Sequence, residues 1–287
     1  MDLIIATYKY LIVFNLIKNK YRIIHKGDGI YYGLAKYKDQ IIVGKRNNPL
    51  KRELRYSNAS FLFLNNKLEI IDEIIPHFLI RDLHGIKVFN DKLWATCAFD
   101  NMIAIYDFNK KNWSYWHPSL VNNNIKIVDD NLREKLKSNN NRGSKHFNTI
   151  NINKENINLA AHNFGDSEIY FFNINTLKFN KKIPIGLEIH NIWYKDDEIF
   201  TLSSGSGYVL SNNKFKFNIG GYARGFCEND TRYFIGHCTN LEREERYLDS
   251  FMIKSFDHNF KDNKNYYFKD LGGVTDILYF DNLKYSL

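Results

Sequence analysis

The segment DLHGIKVFNDKLWAT, residues 82–96, indicates the fold because its pattern returns twice along the chain. Two short runs of alternating apolar and polar residues flank an Asn-Asp-Lys turn, which predicts an antiparallel hairpin. Related segments are HNIWYKDDEIFT at 190–201 and RGFCENDTRYFI at 224–235. Two landmark residues are nine positions apart in each copy: His84 and Leu93, His190 and Ile199, Arg224 and Tyr233. β-rich units that repeat at roughly 40–50 residues are typical of propeller blades.

The rest of the chain divides into similar units, so we predict an all-β fold, a six-bladed β-propeller. Five four-stranded blades are expected at 32–71, 84–117, 146–183, 189–219 and 222–271. The last blade is predicted to combine three N-terminal strands within residues 1–27 with a C-terminal inner strand at 274–281. Closing the ring in this way removes the exposed edges of an open array of strands. We therefore predict a single domain over residues 1–287.

The longest departure from the repeat is an insertion at 119–144, between the second and third blades. Within it, residues 129–137 begin with acids and end with bases, as a short helix does. Because it joins two blades, the insertion is expected over the face where the pore opens. It could be a lid that excludes water from a site or a solvated loop, and the sequence leaves both open.

The composition is that of a folded domain with excess positive charge. Of the 287 residues, 44% are hydrophobic and 16% aromatic, enough to fill a large core. The net charge of +8 has two explanations, an anionic partner or the composition of an A/T-rich coding sequence. Three cysteines without a CxxC pair fit a reducing compartment. With no signal-peptide pattern and no apolar run near the roughly 20 residues of a membrane span, we predict a cytoplasmic protein with no membrane span.

The first strand of each propeller blade lines the central channel, so equivalent positions in these strands face one axis. Aligning the blades on the nine-residue spacing gives one such position in each: Tyr32, His84, Asn148, His190, Arg224 and Thr275. His146 lies two residues before Asn148 and therefore points to the same side of its strand. His162 and His237, near the ends of second strands, are expected at the same face.

A cluster of histidines allows three interpretations. Neutral imidazoles are common metal ligands, and His84, His146 and His190 could hold a divalent Zn²⁺, Mn²⁺ or Fe²⁺ with an open position. The carboxylates that could join them are Asp82, Asp100 and Asp276. The same imidazoles could instead bind substrate or transfer protons without a metal. The third interpretation is a channel filled with polar side chains and water.

Basic residues are concentrated in the loops expected on the pore-opening face. They are Lys45, Arg46, Lys51, Arg52, Arg55, Arg81, Arg243 and Arg246, with Arg224 in the ring. The planar fork of arginine suits a carboxylate or a phosphate. This placement favours an anionic small-molecule ligand. We do not expect nucleic acid as the partner, because the sequence has no recognition motif for it.

Several short segments occur in the order found in a known family. They are DLH (82–84), HFN (146–148), IHN (189–191) followed by LSSGSG (202–207), ARGF (223–226), and IGH (235–237) followed by RE (243–244). They resemble the motifs DPH, CHLNG, PHSPR followed by LNSGTG, ARGL, and VGLS followed by RE of DUF4915, a bacterial family of uncharacterised propeller proteins. The resemblance covers roughly residues 80–280.

This resemblance implies a six-bladed propeller and a site, but no chemistry, because the family brings no established reaction. It implies pore histidines at His84, His146 and His190, with Arg224 and Glu244 as family positions. The sequence departs from the family pattern at two places. His190 is followed by Asn-Ile-Trp rather than Ser-Pro-Arg, which removes an arginine, and His146 follows a lysine rather than a cysteine.

We therefore expect an enzyme that acts at the mouth of the pore on an anionic small molecule, such as a sugar- or peptide-derived acid. His84, His146, His190 and Arg224 are the predicted catalytic residues, and lyase, hydrolase or epimerase chemistry would suit them. The predicted substrate-binding residues are Tyr32, Arg46, Asn148, His162, His237 and Glu244. The alternative is a non-catalytic propeller that binds a partner protein or a glycan through its basic face.

Overall fold

The chain folds into a six-bladed β-propeller in a computed structural model. The structure describes residues 2–27, 29–47, 58–153, 155–242, 245–281 and 283–285. Within these ranges the chain forms 25 β-strands, one α-helix and one short 3-10 helix. The strands make six antiparallel sheets around a common axis. The predicted fold class is therefore confirmed.

The sixth blade joins the N-terminal strands to the last strand of the chain. Its strands, from the axis outward, are β25 (Val274–Phe280), β1 (Asp2–Thr7), β2 (Leu11–Asn15) and β3 (Lys20–His25). Leu3 lies opposite Tyr279, and Ile5 lies opposite Ile277. Leu3, Ile5 and Ile277 share one buried apolar cluster with side chains of the fifth blade. The predicted closure of the ring is thus confirmed.

The other five blades follow one another in the sequence. Blade 1 consists of β4 (Gly29–Tyr37), β5 (Gln40–Asn47), β6 (Ala59–Leu64) and β7 (Ile70–Ile74). Blade 2 consists of β8 (Leu83–Phe89), β9 (Lys92–Cys97), β10 (Met102–Asp107), β11 (Asn112–Trp116) and the added β12 (Lys126–Ile127). Blade 3 consists of β13 (Phe147–Ile152), β14 (Asn156–Ala161), β15 (Asp166–Asn173) and β16 (Phe179–Leu187). Blade 4 consists of β17 (Ile189–Lys195), β18 (Glu198–Ser203), β19 (Tyr208–Ser211) and β20 (Lys216–Asn218). Blade 5 consists of β21 (Tyr222–Glu228), β22 (Arg232–Cys238), β23 (Phe251–Asp257) and β24 (Lys264–Phe268).

The amino-acid composition of a strand corresponds to its position within the blade. Strands β1 and β6 have neighbouring blades on both faces, so every one of their residues is buried and apolar residues predominate. The outermost strands β3 and β7 are mostly exposed and carry charged side chains. Charges on an edge strand oppose pairing with another chain. The core therefore lies between the blades, where burial of apolar surface stabilises the ring by about 25 cal/mol per Å².

The tight turns between the first and second strands of blades 2 and 4 use left-handed backbone. Asn90 and Asp91 have φ of 48° and 52°, and Asp196 and Asp197 have φ of 48° and 60°. Two consecutive residues with positive φ make the hairpin turn whose twist matches that of the strands. These two turns have the same length, so the spacing from His84 to Leu93 equals that from His190 to Ile199.

The insertion after blade 2 contains the predicted helix, α1 (Asp130–Ser138). The side chain of Asp129 caps it by accepting a hydrogen bond from the amide of Leu132. Leu132 and Leu136 are buried in the apolar cluster that contains Phe78 and Trp113. The helix is therefore packed onto the propeller. None of the helices in the described ranges is long and apolar enough to cross a membrane.

Candidate functional site

Each of the six innermost strands carries a β-bulge near its start, at the position expected to face the axis. In β8, for example, Leu83 and Ile86 pair with residues only two positions apart, so His84 and Gly85 share a single partner. Equivalent register shifts occur in the other five blades. Bulges redirect the side chains within them, often beside functional sites. The six predicted ring residues at or beside these bulges are Tyr32, His84, Asn148, His190, Arg224 and Thr275.

Glycine follows several of these residues for conformational reasons. Gly33 and Gly225 have φ of 79° and 78°, a region that glycine adopts without strain. Gly85 has a different reason, because a Cβ there would lie 2.9 Å from the backbone oxygen of Asn148 in the next blade. These glycines let neighbouring blades approach closely while the preceding side chain points to the axis.

A second layer of side chains lies at the mouth of the pore, two residues before the ring positions. Its polar members are Asp82, His146, Glu188 and Tyr222. The ends of the second strands face this layer and contribute Arg46, His162, Ser204 and Tyr8. Glu188, Tyr222 and Tyr8 are absent from the predicted residues. Residues two positions apart in a strand point to the same side. This rule predicted His146 from Asn148, and applied to His190 and Arg224 it would also have predicted Glu188 and Tyr222.

Asp82 is fully buried at the centre of an ion-pair network. Its Oδ1 lies 2.8 Å from Nη2 of Arg46, and its Oδ2 lies 3.0 Å from Nη2 of Arg142. His84 Nε2 is 3.4 Å from Oδ1, and His146 Nδ1 is 3.7 Å from Oδ2. Burial alone would raise the pKa of Asp82, but Arg46, His84 and His146 hold it well below its usual value. Asp82 is therefore ionised, and Arg142 brings the end of the insertion into the site.

His190 has an unprotonated nitrogen available at the ring. Its Nδ1 lies 2.9 Å from the carbonyl oxygen of Glu188 and 2.8 Å from Oγ of Ser204. A carbonyl can only accept a hydrogen bond, so Nδ1 carries the proton and Nε2 carries a lone pair. Nε2 is buried and has no partner in the described part of the chain. Burial and the nearby Arg224 lower the pKa of His190 well below its usual value.

The histidines form a continuous chain of ring contacts. The centroids of His84 and His146 are 4.7 Å apart, those of His146 and His162 are 5.2 Å apart, and those of His162 and His190 are 5.5 Å apart. Burial lowers the pKa of His84 to about 3, with Arg46 acting in the same direction and Asp82 in the opposite one. Burial and Arg224 lower the pKa of His162 to about 3. All four imidazoles are therefore neutral at physiological pH.

Arg224 is a buried cation that forms no ion pair with an acidic side chain of the described residues. Its side chain contacts three tyrosine hydroxyls, with Nη1 at 3.2 Å from Tyr32 and 3.4 Å from Tyr8, and Nη2 at 3.4 Å from Tyr222. Its Nε is buried without an acceptor, and no carboxylate of the described residues pairs with it. Arg246 lies nearby and donates to the hydroxyl of Tyr8 at 3.2 Å. An unpaired buried charge is costly, so this guanidinium is suited to an external anion.

Two cavities of about 270 Å³ each meet at the ring. The mouth cavity is lined by His146, His162, Glu188, Arg142 and Arg246, together with ring residues. The lower cavity continues along the axis and is lined by the ring residues, including His190, and by Lys87 and Asp276 among others. Tyr32, His84 and Arg224 line both and therefore separate them. A ligand in the mouth would contact this partition.

The structure places His237 outside the mouth. His237 pairs with Ala223, one residue after Tyr222, so it corresponds to Ala161 in blade 3 and not to His162. Successive side chains point to opposite faces of a strand, and His237 packs against Gly221. Its expected place in the site is thus wrong by one residue.

The remaining candidates have structural contacts or lie elsewhere. Asn148 donates to the carbonyl of Ile189 at 2.8 Å and links two blades. Asp100 pairs with Arg81 and is not part of the group of described residues that could hold a metal. Asp276 lies in the lower cavity, where burial raises its pKa to about 7 although backbone amides act in the opposite direction. The predicted residues outside the described part of the chain are Glu244, Arg243, Lys51, Arg52 and Arg55.

Several of the basic residues expected on the pore-opening face are buried or paired with carboxylates. Arg46 and Arg81 are buried in ion pairs with aspartates, and Arg224 is 5% exposed. Lys45 lies 3.4 Å from a carboxylate oxygen of Glu73. Sequence position alone does not distinguish a surface cation from a buried one. The positive charge of these residues is directed into the pore or into neighbouring carboxylates.

A metal site can be assembled from some of the predicted ligands, but with a different third member. Asp82, His84 and His146 bring one donor atom each within 4.8 Å of one another, whereas the predicted set has His190 in place of Asp82. The neutral imidazoles suit a metal. However, both oxygens of Asp82 already contact guanidinium groups, those of Arg46 and Arg142. A divalent cation there would be held next to two positive charges.

Comparison with known proteins supports the fold but indicates no family and no function. A chain in the crystal structure of a nidogen/laminin complex superposes with a TM-score of 0.64, covering 96% of this chain and 97% of that one at 10% identity. A protein of unknown function from Bacteroides caccae gives a TM-score of 0.59 at 11% identity, with the same coverage. No family model and no curated protein matches the sequence. The chain is a six-bladed β-propeller, and its resemblance to DUF4915 stays a prediction.

Proposed function

We propose that the mouth of the propeller binds an anionic small molecule and that Arg224 holds its carboxylate or phosphate. The observation that carries this proposal is the buried guanidinium of Arg224, which contacts tyrosine hydroxyls but forms no ion pair with a carboxylate of the described residues. Arg246 adds a second positive charge to the same cavity. Arginine forks bind carboxylates and phosphates through paired charge-assisted hydrogen bonds.

We propose further that the site is catalytic: the ligand extends past Arg224 into the lower cavity, where His190 is the proton acceptor. Its Nε2 has a lone pair and no hydrogen-bond partner in the described residues, while its Nδ1–H is fixed by the Glu188 carbonyl. A base whose other nitrogen is held in this way is oriented for proton transfer. Removal of a proton from a carbon next to a carboxylate, or from water, begins elimination, epimerisation and hydrolysis alike. His84 and His162 would contribute as neutral hydrogen-bonding groups.

We propose that this chemistry proceeds without a divalent metal. The contacts of Asp82 with Arg46 and Arg142 support this choice, because these arginines already neutralise the only carboxylate among the grouped donors. If a metal does bind, Asp82, His84 and His146 would hold it, and it would polarise a substrate oxygen. A cytoplasmic location is also part of the proposal. The thiols of Cys97, Cys227 and Cys238, all buried and free, support it.

Thermal unfolding in the presence of small acids tests this function. Carboxylates and phosphates that bind the folded state should raise the unfolding temperature of the wild type with concentration. The Arg224→Met variant should show no such rise. The matched control is Arg22→Met, which removes the same charge from the exposed strand β3 and should respond like the wild type. Equal responses of all three proteins would point to surface binding and contradict the proposal.

A separate experiment addresses catalysis. Once a binding acid is found, the His190→Gln variant should still bind it but should lose turnover, since an amide cannot accept a proton at neutral pH. The His237→Gln variant is the control, because this histidine lies outside the mouth. The rival function is a partner protein or a glycan on the basic face. It would be favoured if charge reversal of Lys51, Arg52 and Arg55 abolished partner binding while His84→Ala and His190→Ala kept it.

A further inference from the structure

The mouth cavity carries negative as well as positive charge. Glu188 and Glu242 line the same space as Arg224 and Arg246. The hydroxyl of Tyr222 donates to Oε2 of Glu188 at 3.0 Å and accepts from Nη2 of Arg224 at 3.4 Å. A single hydroxyl group therefore separates a carboxylate from a guanidinium.

Glu188 is not neutralised by a basic side chain of the described residues. The histidine beside it is His162, whose Nε2 lies 3.9 Å from Oε2 of Glu188. The Nδ1 of His162 accepts a hydrogen bond from the amide of Phe164 at 3.2 Å, so the neutral ring presents Nε2–H to Glu188. The Glu188 side chain is 33% exposed, which leaves it accessible from the cavity.

Arg224 and Glu188 favour ligand groups of opposite charge. A ligand with only an anionic group would bind Arg224 but would bring its charge close to the carboxylate of Glu188, where like charges repel. A ligand with an ammonium group beside its anionic group would satisfy both. Recognition that attracts one ligand and repels its near analogue is the usual basis of specificity.

We infer that the ligand is zwitterionic, with its carboxylate or phosphate on Arg224 and an ammonium group on Glu188. The chemical class is that of amino acids and amino-sugar phosphates. This inference rests on the proposed function and identifies the substrate class of the same site. Glu188 is then the residue that distinguishes an amine from a hydroxyl at the equivalent position of the ligand.

Calorimetric titration with matched pairs tests the inference. The probes are L-alanine and L-lactate, L-glutamate and L-2-hydroxyglutarate, and glucosamine 6-phosphate and glucose 6-phosphate. In each pair that binds, the amine should bind more tightly by about tenfold to a hundredfold, the range expected for one charge-assisted hydrogen bond. The Glu188→Gln variant should lose this preference without weaker binding of the hydroxyl member. Glu69→Gln, at an exposed turn outside the mouth, should keep it.

The outcomes separate the inference from the function on which it rests. If the hydroxyl members bind the wild type as tightly as the amines, the zwitterion inference fails while anion binding stands. If no member of any pair binds, both fail. A preference for amines that persists in Glu188→Gln would also overturn the role of this residue. If Glu188→Gln folds poorly, the affinities of the wild type for the amine and hydroxyl members of each pair still test the inference.

Discussion

Replacement of Arg224 by methionine should leave the propeller as stable as before, or make it more stable, although it removes a side chain from the centre of the ring. Arg224 is 5% exposed, and its contacts with hydroxyls are long, at 3.2–3.4 Å. A buried donor without an acceptor costs about 1–3 kcal/mol, and Arg224 Nε is such a donor among the described residues. Methionine fills much of the same space without this cost. Since the lost hydroxyl contacts offset part of the gain, we expect stabilisation of about 0–2 kcal/mol.

Urea unfolding followed by tryptophan fluorescence measures this change, in a buffer free of phosphate and carboxylates because bound anions would stabilise the wild type. The contrasting variant is Asp82→Asn. It leaves buried Arg46 beside a neutral group and should destabilise the protein by about 3–5 kcal/mol. Loss of more than about 2 kcal/mol in Arg224→Met would show that Arg224 is a structural residue, and the reasoning about an external anion would then be refuted.

Three other perturbations test the site and the ring. Stability should fall as the pH drops below 6.5, because His84 and His162 have pKa values of about 3 when folded and protonate first in the unfolded chain. Below pH 6.5, each of these histidines lowers the free energy of unfolding by about 1.4 kcal/mol per pH unit. The urea midpoint should therefore fall less between pH 7 and pH 5 in His162→Gln than in the wild type, and an equal fall in both would contradict this. Dialysis against EDTA should leave the unfolding temperature unchanged, and a stoichiometric metal that His84→Ala loses would disprove the metal-free site. A chain that ends at residue 273 should not fold, because β1 loses its partner β25; a cooperative unfolding transition of that chain would argue against the closed ring.

The fold and the ring positions were predictable because they depend on local spacing. The ring residue lies a fixed number of positions before the turn between the first and second strands. The nine-residue offset across that turn therefore located His84, His190 and Arg224 at or beside their bulges. Closure of the ring followed from counting strands at the two ends of the sequence. The glycines after His84 and Arg224 are a further local signal of the same geometry.

Other parts of the site depend on contacts that local spacing does not specify. Tyr8 reaches Arg224 only because β1 closes the sixth blade, and Arg142 enters from the irregular insertion. The place of His237 was missed because a shift of one residue along a strand reverses the side of the sheet. Counting basic residues also could not show that Arg46 and Arg81 are neutralised by buried aspartates.

The most direct test of the central claim is a crystal structure of the protein soaked in selenate, whose anomalous signal locates a bound anion. We predict a selenate in the mouth cavity with an oxygen within about 3 Å of a guanidinium nitrogen of Arg224, and no selenate there in the Arg224→Met variant. Selenate bound only at exposed lysines, with the mouth of the wild type holding water alone, would contradict the proposal that this propeller binds an anion at its axis.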